Sequence, residues 1–314
     1  MQTRNIGTLR ATIVGLGCNN FGMRIDESGA KVVVDAALDA GINLFDTADI
    51  YGGTLSEEFL GRALGSRRDD ALIATKFGGP IDDARKGGAS ASYIQRACDD
   101  SLKRLGTDRI DLYQLHFPDT ATALDETLGA LDALVRAGKV REIGCSNFSA
   151  EMLAEAEATS RAKGLARYVS VQNEYSLLRR APEQNGVLET CKELELAFLP
   201  YFPLASGMLT GKYRRGAAAP AGTRLANMPA ERQEQAFADK NFDRVEALDA
   251  WARDHGHSLL ELAFAALLAR PVVASVIAGA TKPEQVAANA AAASWQLSDA
   301  DLDEIDTVIE NAKR

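Results

Sequence analysis

The chain has 314 residues, of which 46% are hydrophobic and 25% are charged, a balance that excludes disordered and fibrous proteins. The 44 acidic side chains outnumber the 35 basic ones and give a formal net charge of −9, which disfavours nucleic acid as a partner. No stretch approaches the roughly 18 to 20 consecutive apolar residues of a membrane span, and the N-terminal segment MQTRNIGTLR contains no apolar signal region. We therefore expect a cytoplasmic protein with no membrane partner.

Short apolar runs, taken in chain order, predict a small hairpin followed by eight strands. Residues 1–12 contain Asn5-Ile6-Gly7-Thr8 between short alternating segments, which predicts a β-hairpin that plugs the bottom of a barrel. The later runs are β-rich and recur at intervals of about 30 residues, except for the last, which follows an insertion. They begin at Ile13, Ile42, Ala71, Ile110, Val140, Tyr168, Leu196 and Val272.

Amphipathic helical patterns lie between these runs, for example over residues 91–106 and 122–138, and both end in glycine. Strands that are apolar on both faces and alternate with helices are typical of parallel sheets. We therefore predict an α/β fold over residues 1–314, a (β/α)8 TIM barrel with an N-terminal β-hairpin and extra helices, with a doubly wound open sheet as the alternative. Residues 204–240 predict a long functional loop, and the segment from Ser298 predicts one further surface helix.

The cysteines and histidines lack the spacing of a metal site. The four cysteines, which have no CxxC pair and are typical of reduced thiols, are Cys18, Cys98, Cys145 and Cys191. His255 and His257 lie two residues apart, a spacing that does not put both on one helix face. The sequence therefore predicts neither disulfides nor a bound metal.

Polar side chains end six of the predicted strands, where an apolar run would otherwise continue. They are Asp46, Lys76, His116, the pair Ser146 and Asn147, Gln172 and Tyr201. Because the carboxyl ends of all strands in a parallel barrel face one mouth, we expect these side chains to converge there. Each alone also fits a structural role, with Asp46 as a helix cap, Lys76 extending to solvent and His116 as a core imidazole.

Together these residues favour a shared chemical role, and Tyr51 completes the set. It follows Asp46 by five positions in DTADIYGG, where a Gly-Gly pair allows a sharp turn toward the mouth. The set suits carbonyl reduction, because the developing alkoxide needs a proton and a free tyrosine, with a pKa of about 10, is a reluctant acid. We expect Lys76 to lower the pKa of Tyr51, with Asp46 holding the ammonium in place. His116 would hold the carbonyl oxygen.

Carbonyl reduction also needs a hydride, which no side chain supplies, so this hypothesis requires a nicotinamide cofactor. The usual dinucleotide fingerprint is absent, since Asn20 stands where the third glycine of GxGxxG would fall. We expect the amide and hydroxyl groups at the ends of the fifth and sixth strands to fix the carboxamide, and Tyr201 to stack on the nicotinamide. A glycine turn opens a helix near Pro283, whose free amides suit a phosphate, and Lys282 adds charge there.

Taken together, the motifs resemble those of the aldo-keto reductases over residues 4–290. The matching segments are FDTADIYGG, IATKFG, DLYQLHFPD, REIGCSNFS, VQNEYSLL, PYFPLASGMLTGKY and IAGATKPEQVAAN. The last two are most similar to the branch that includes bacterial aldo-keto reductases and potassium-channel β subunits. The resemblance implies a (β/α)8 barrel, NADPH bound across its mouth, and a catalytic set of Tyr51, Lys76, Asp46 and His116.

The resemblance also implies a set of cofactor-binding residues. Those of the diphosphate tunnel are Cys18, Asn19, Leu204, Ser206, Lys212 and Arg224, those of the adenosine end are Gly279, Thr281, Lys282, Gln285 and Asn289, and Asp46, Phe202 and Pro203 are counted with them. Phe202 stands where serine is common, and Gln285 where some branches place an arginine for the 2′-phosphate, so NADH stays an alternative cofactor. Asparagine often replaces the histidine in the channel-subunit branch, so His116 favours an enzyme.

The sequence leaves four functions open. The first is an NADPH-dependent aldehyde or ketone reductase, and the second is an NAD(P)-dependent dehydrogenase that oxidises a sugar or another alcohol. The third is a cofactor-sensing regulatory module. The fourth is a lyase in which Lys76 forms a Schiff base, although Asp46 and Tyr51 favour a charged, non-nucleophilic amine. Apolar side chains in the mouth loops favour a hydrophobic or aromatic carbonyl substrate, and they are Phe21, Met23, Phe77 and Met208.

Overall fold

The computed structural model describes residues 1–312 and shows a ring of parallel strands with a hairpin at one end. The hairpin pairs β1 (Thr3–Ile6) with β2 (Leu9–Thr12) in antiparallel register. Across residues 1–312 the ring has eight strands, which are β3 (Val14–Gly17), β4 (Leu44–Asp46), β5 (Leu72–Phe77), β6 (Ile110–Leu115), β7 (Val140–Ser146), β8 (Tyr168–Glu174), β9 (Ala197–Tyr201) and β10 (Val276–Gly279). The (β/α)8 barrel is therefore confirmed, and the open sheet is wrong.

The ring closes where β9 meets the chain just before β10. The Phe198 amide donates to the carbonyl of Val272 at 2.7 Å, and the Ala274 amide donates to the carbonyl of Phe198 at 3.0 Å. From β3 to β9 the strands follow in sequence order, with β10 beside β3, and these neighbours all pair in parallel. Their carboxyl ends therefore share one mouth, as the polar strand ends predict.

Helices surround the strands, and the amphipathic pattern at residues 91–106 forms one that ends where Gly106 adopts a φ of 61°. The helices are α1 (Glu27–Asp39), α2 (Leu55–Leu64), α3 (Ala91–Leu105), α4 (Leu124–Arg136), α5 (Ala150–Lys163), α6 (Ala181–Gln184), α7 (Val187–Glu193), α8 (Ala230–Ala236), α9 (Asp239–Asp254), α10 (Leu259–Leu268), α11 (Pro283–Ala292) and α12 (Asp299–Asn311). Short 3₁₀ turns cover Tyr51–Thr54, Gly65–Asp70, Ala205–Thr210 and Leu225–Asn227. Within residues 1–312, none of these helices is long and apolar enough to cross a membrane.

The segment over residues 204–240 is more ordered than the predicted loop, because it contains α8 and two of the 3₁₀ turns. The predicted surface helix at the C-terminal end is α12, which begins with a reciprocal cap. The Ser298 hydroxyl accepts from the Asp301 amide, and the Asp301 carboxylate accepts from the Ser298 amide at 2.7 Å.

The hairpin closes the end of the barrel opposite the mouth. Ile6 and Leu9 are almost completely buried, and they belong to an apolar cluster with barrel residues that include Leu44, Leu112 and Leu199. This packing confirms the predicted plug. Apolar surface buried there stabilises the barrel at about 25 cal/mol per Å², and the mouth is left as the polar end.

We expect Leu9→Ala to lower the free energy of unfolding by about 2–5 kcal/mol, because the truncation leaves a cavity between hairpin and barrel. Urea denaturation monitored by circular dichroism measures the change. Arg10→Ala, at an exposed position beside it, is the control and should change stability by about 0.5 kcal/mol or less. Similar effects of both substitutions would show that the hairpin does not act as a plug.

Candidate active site

A buried ammonium–carboxylate pair lies at the mouth, formed by side chains of two adjacent strands. Lys76 in β5 is fully buried, and its Nζ donates to both carboxylate oxygens of Asp46 and to the carbonyl of Thr47, each at 2.8 Å. Three hydrogen bonds use every hydrogen of an ammonium group. The amine is therefore fixed as a cation, which argues against the Schiff-base alternative.

The protonation of Lys76 is set by two opposing effects. Burial by itself lowers the pKa of Lys76, but the charge and hydrogen bonds of Asp46 outweigh burial, so the pKa lies above its usual value. The expectation that Asp46 keeps Lys76 charged agrees with this geometry. The Lys76 ammonium therefore stays positively charged at neutral pH.

Tyr51 lies over this pair, at the start of the 3₁₀ turn that follows β4. The Nζ atom of Lys76 is 5.1 Å from the centre of the Tyr51 ring. The surroundings of the hydroxyl are buried, although the residue as a whole is partly exposed. Burial raises the pKa of Tyr51 by more than the charge of Lys76 lowers it. Lys76 lowers the pKa of Tyr51 as expected, but burial outweighs this effect, so Tyr51 is a protonated phenol at neutral pH.

The turn that carries Tyr51 depends on Gly52. This residue has a φ of 59°, and a Cβ atom built on it would lie 2.3 Å from the carbonyl oxygen of Phe21. Only glycine fits that contact without a shift of the backbone. The loops after β3 and β4 therefore touch at this point, and the contact fixes Tyr51 at the mouth.

His116 lies beside Tyr51, directly after β6. Its ring centre is 5.8 Å from that of Tyr51 in an edge-on arrangement, and 4.4 Å from that of Phe117, which stacks on it at 9°. Burial, with a smaller effect of the Lys76 charge, lowers the pKa of His116 to about 3. The imidazole is therefore neutral at neutral pH, and a neutral imidazole carries one N–H donor. Its Nδ1 is buried and has no hydrogen-bond partner within residues 1–312.

A chain of hydrogen bonds extends from the ion pair to the far side of the mouth. The Gln172 amide donates to Asp46 Oδ1 at 2.8 Å, and the Ser146 hydroxyl donates to the Gln172 carbonyl at 2.7 Å. Asn147, whose φ is 63°, donates to the His116 carbonyl at 3.0 Å. The Tyr201 hydroxyl donates to Asn147 Oδ1 at 2.8 Å. The structure thus brings together all six polar strand ends singled out in the sequence.

The residues that are predicted to bind the cofactor diphosphate lie on the loops after β3 and β9. Arg224 stacks on Phe202, with 4.6 Å from its Cζ to the ring centre, and Lys212 is exposed nearby, 5.3 Å from the centre of the Tyr213 ring. Pro203 is buried, and Leu204 and Ser206 are partly buried. The Cys18 thiol is fully buried and donates to the Leu16 carbonyl at 3.7 Å, and the Cys18 amide donates to the Asp46 carbonyl at 2.8 Å.

The residues that are predicted to bind the adenosine end of the cofactor lie at and around the start of α11. Gln285 Oε1 accepts hydrogen bonds from the Thr281 amide at 2.7 Å and from the Thr281 hydroxyl at 3.2 Å. Lys282 is exposed. Asn289 is buried on the same helix. Gly279 lies against Asn19, whose Oδ1 would be 3.3 Å from a Cβ atom built on the glycine. Within residues 1–312, no group of three or more His, Cys, Asp or Glu side chains is placed to hold a metal ion.

A second buried acid, Asp49, was not singled out in the sequence. It lies on the loop between Asp46 and Tyr51 and is fully buried, and neither carboxylate oxygen has a partner within residues 1–312. Burial and the nearby Glu57 outweigh the charge of Arg104 and raise the pKa of Asp49 to about 8. Arg104 itself donates to Glu57 at 2.6 Å. A loop acid carries no local sign of burial, so sequence patterns could not have found it.

We expect Asp49→Asn to stabilise the protein increasingly as pH rises from 5 to 8. In the unfolded chain an aspartate has a pKa of about 3.9, whereas in the folded protein the pKa of Asp49 is about 8. Folding therefore takes up a proton in this range. For each unit by which the pH rises, Asp49 lowers the free energy of unfolding by up to about 1.4 kcal/mol. Asparagine removes that dependence.

Urea denaturation at pH 5, 6, 7 and 8 measures this difference between variant and parent. Asp119→Asn is the control, because hydrogen bonds from Thr122 and from the amides of Ala121 and Ala89 outweigh burial and lower the pKa of Asp119. Its carboxylate is ionised in both states over this range, so its effect should not vary with pH. A pH-independent effect of Asp49→Asn as well would mean that Asp49 is ionised in the fold.

Comparison with known proteins identifies similar chains. The model of the aldo/keto reductase family matches residues 13–310. The uncharacterised oxidoreductase YrpG of Bacillus subtilis is 37% identical, over 88% of this chain and 86% of the relative. A probable voltage-gated potassium channel subunit beta of Arabidopsis thaliana is 32% identical, over 99% of this chain and 97% of the relative. The aldo-keto reductase yakc [NADP(+)] of Schizosaccharomyces pombe is 33% identical, over 100% of this chain and 93% of the relative.

Proposed function

Because the chain belongs to the aldo/keto reductase family, we propose that it reduces aldehydes or ketones to alcohols, with NADPH as hydride donor and Tyr51 as general acid. The observation that carries this proposal is the protonated Tyr51 phenol above the fixed Lys76 cation. The neutral imidazole of His116 lies beside it. Each group has the protonation state that donation to a carbonyl oxygen requires.

Tyr51 would donate its proton as negative charge develops on the carbonyl oxygen. An alkoxide is a much stronger base than a phenolate, so the raised pKa of Tyr51 does not prevent the transfer. The phenolate left behind would be stabilised by the Lys76 ammonium, which is already oriented by Asp46 before reaction. Oxidation of an alcohol would instead need the phenolate as base. The raised pKa therefore moves the pH range of alcohol oxidation upward.

His116 would hold the carbonyl oxygen through its single N–H. An imidazolium there would compete with Tyr51 as the proton donor, but a pKa of about 3 keeps the ring neutral. The stacked Phe117 ring fixes the plane of the imidazole, and Asn147 holds the His116 carbonyl. His116 would therefore orient the substrate while Tyr51 donates the proton.

The residues around the mouth fit a nicotinamide dinucleotide. Gln172 and Asn147, which would bind the nicotinamide, are held by defined hydrogen bonds to Asp46 and to the His116 carbonyl. Lys212 and Arg224 form no ion pair within residues 1–312, so both charges are available to a diphosphate. When bound, the cofactor supplies the hydride that reduces the carbonyl carbon. The name of the Schizosaccharomyces pombe relative favours NADP(H).

We expect Tyr51→Phe to lower kcat by about 10²- to 10⁴-fold, because it removes the acid and keeps the ring. NADPH oxidation with an aromatic aldehyde, followed by absorbance, measures turnover, and NADPH fluorescence measures cofactor affinity, which should change by less than about twofold. A Phe variant as fast as the parent would show that Tyr51 is not the acid. If the parent binds NADPH tightly but reduces no carbonyl compound, the regulatory module is favoured.

We expect Lys282→Gln to weaken NADPH binding by about 3- to 10-fold, the effect of losing one charged contact to a phosphate, and to leave NADH binding unchanged. Lys282 is exposed at the start of α11, where the free amides of the first helical turn would also face a bound phosphate. Fluorescence titration with each cofactor gives the two affinities. Lys240→Gln, an exposed lysine on α9, is the control. Equal losses for both cofactors would place the 2′-phosphate elsewhere.

A further inference from the structure

Asp49 lies on the short loop that joins β4 to Tyr51, and the backbone of this loop is bonded to the candidate active site. The Asp49 amide donates to the carbonyl of Lys76 at 3.1 Å, and the Tyr51 amide donates to the carbonyl of Ala48 at 3.2 Å. The Thr47 carbonyl accepts from the Lys76 ammonium. A shift of the loop backbone at Asp49 would therefore also displace Tyr51. The proposed reaction gives the Asp49 side chain no part.

The Asp49 side chain borders a small cavity between α3 and the loop after β5. It is fully buried, and neither of its carboxylate oxygens has a hydrogen-bond partner among the residues that the structure describes. A buried carboxylate without a partner costs several kcal/mol, whereas the neutral acid costs much less. The position of Asp49 therefore suits the protonated carboxyl group and not the ionised one.

The charged and titratable groups around Asp49 come from five elements. They are Lys76 on β5, Glu57 on α2, Tyr113 on β6, Arg85 on the loop after β5, and Tyr93, Arg96, Asp100 and Arg104 on α3. Burial and the charge of Glu57 outweigh the attraction of Arg104 and raise the pKa of Asp49 to about 8. The carboxyl group is therefore mostly protonated at neutral pH and ionises in the mildly alkaline range.

Two of the arginines at this cavity are already paired with other acids. Arg104 donates to Glu57 at 2.6 Å, and Arg85 donates to Asp82 at 2.6 Å. Moving either arginine to Asp49 would break an existing ion pair and leave another acid without its partner. An ionised Asp49 would therefore stay uncompensated in its present position.

A third arginine, Arg96, is exposed and forms no ion pair in the described part of the chain. Its Cζ lies 5.5 Å from the centre of the Tyr93 ring. An ionised Asp49 can reach this charge, or water, by moving into the cavity. Because the Asp49 amide is bonded to the Lys76 carbonyl, such a movement would pull the loop away from β5 and take Tyr51 with it.

We propose that Asp49 is a positioning residue, which holds Tyr51 in its reactive place only while the Asp49 carboxyl group carries a proton. The fold thereby limits carbonyl reduction to acidic and neutral conditions. Tyr51 alone would not impose this limit, since burial raises its pKa above the ordinary value of about 10. The inference rests on the proposed role of Tyr51 as general acid, whereas the movement of the loop depends on no substrate.

The first measurement is the pH dependence of kcat/KM for NADPH-dependent reduction of an aromatic aldehyde. The parent should lose activity above pH 8, where Asp49 ionises. Asp49→Asn is neutral at every pH, so it should match the parent within about twofold at pH 6.5 and be about 10-fold faster at pH 9. The ratio of variant to parent at each pH cancels the effects of pH on cofactor, substrate and reaction equilibrium.

The second measurement needs no turnover. Hydrogen exchange over residues 46–55 is followed in the cofactor-free protein and corrected for the intrinsic pH dependence of exchange. The exchange rate of the parent should rise about 10-fold between pH 7 and pH 9, because the ionised fraction of Asp49 rises by that factor. In Asp49→Asn the corrected rate should stay constant.

The matched control is Asp100→Asn, which removes a partly exposed carboxylate at the same cavity. It should keep the pH profile and the exchange rates of the parent. Asp49→Leu is a second neutral variant and tests the same point if the Asn variant does not fold. Because neither Asp49 oxygen has a partner in the described structure, the apolar side chain loses no hydrogen bond. Circular dichroism at pH 9 shows that each protein is folded.

Two results would overturn the inference while leaving the proposed function intact. The first is the same pH profile in the parent and in Asp49→Asn. The second is a shifted profile without any difference in exchange, since Asp49 would then act through its charge and not through the position of the loop. If the parent reduces no carbonyl compound at any pH, the proposed function fails, and faster exchange at pH 9 in the parent alone still supports the movement of the loop.

Discussion

The ion pair between Lys76 and Asp46 is the contact on which the rest of the mouth depends. Removing two charges from water costs several kcal/mol for each ion, which their attraction offsets only when the remaining donors and acceptors are also satisfied. Here the Lys76 ammonium has three acceptors, and Asp46 also accepts from Gln172 in β8. The pair therefore joins strands on different sides of the barrel, and loss of either partner would leave an uncompensated charge inside it.

The two ends of the barrel have different roles: one end stabilises the fold, and the other carries the polar residues of the candidate active site. At the lower end Ile6 and Leu9 of the hairpin pack on apolar barrel residues and keep water out. That dry interior strengthens electrostatic interactions at the polar end, because charges there are poorly screened from below. The same desolvation keeps His116 neutral and Tyr51 protonated. The apolar core thus sets the protonation states that the proposed reaction uses.

The strand periodicity was enough to predict the barrel, its hairpin and the convergence of Asp46, Lys76 and His116, since each depends on local patterns and one rule about parallel strands. The net pKa direction of Tyr51 could not be predicted, because it depends on how deeply distant segments bury the hydroxyl. The burial of Asp49 could not be predicted either, because it also depends on segments that are distant in the sequence.

The arrangement of ion pairs separates structural cations from those available to a ligand. Arg104 is paired with Glu57 beneath the Tyr51 loop, and Arg215 on the long segment is surrounded by three acids. Within residues 1–312, Lys212 and Arg224 have no such carboxylate, although the chain has nine more acidic than basic side chains. A carboxylate there would neutralise the rim and compete with an anionic ligand. The rim of an acidic protein therefore stays positive only where acids are kept away from it, and such a local field would favour an anionic ligand over a neutral one.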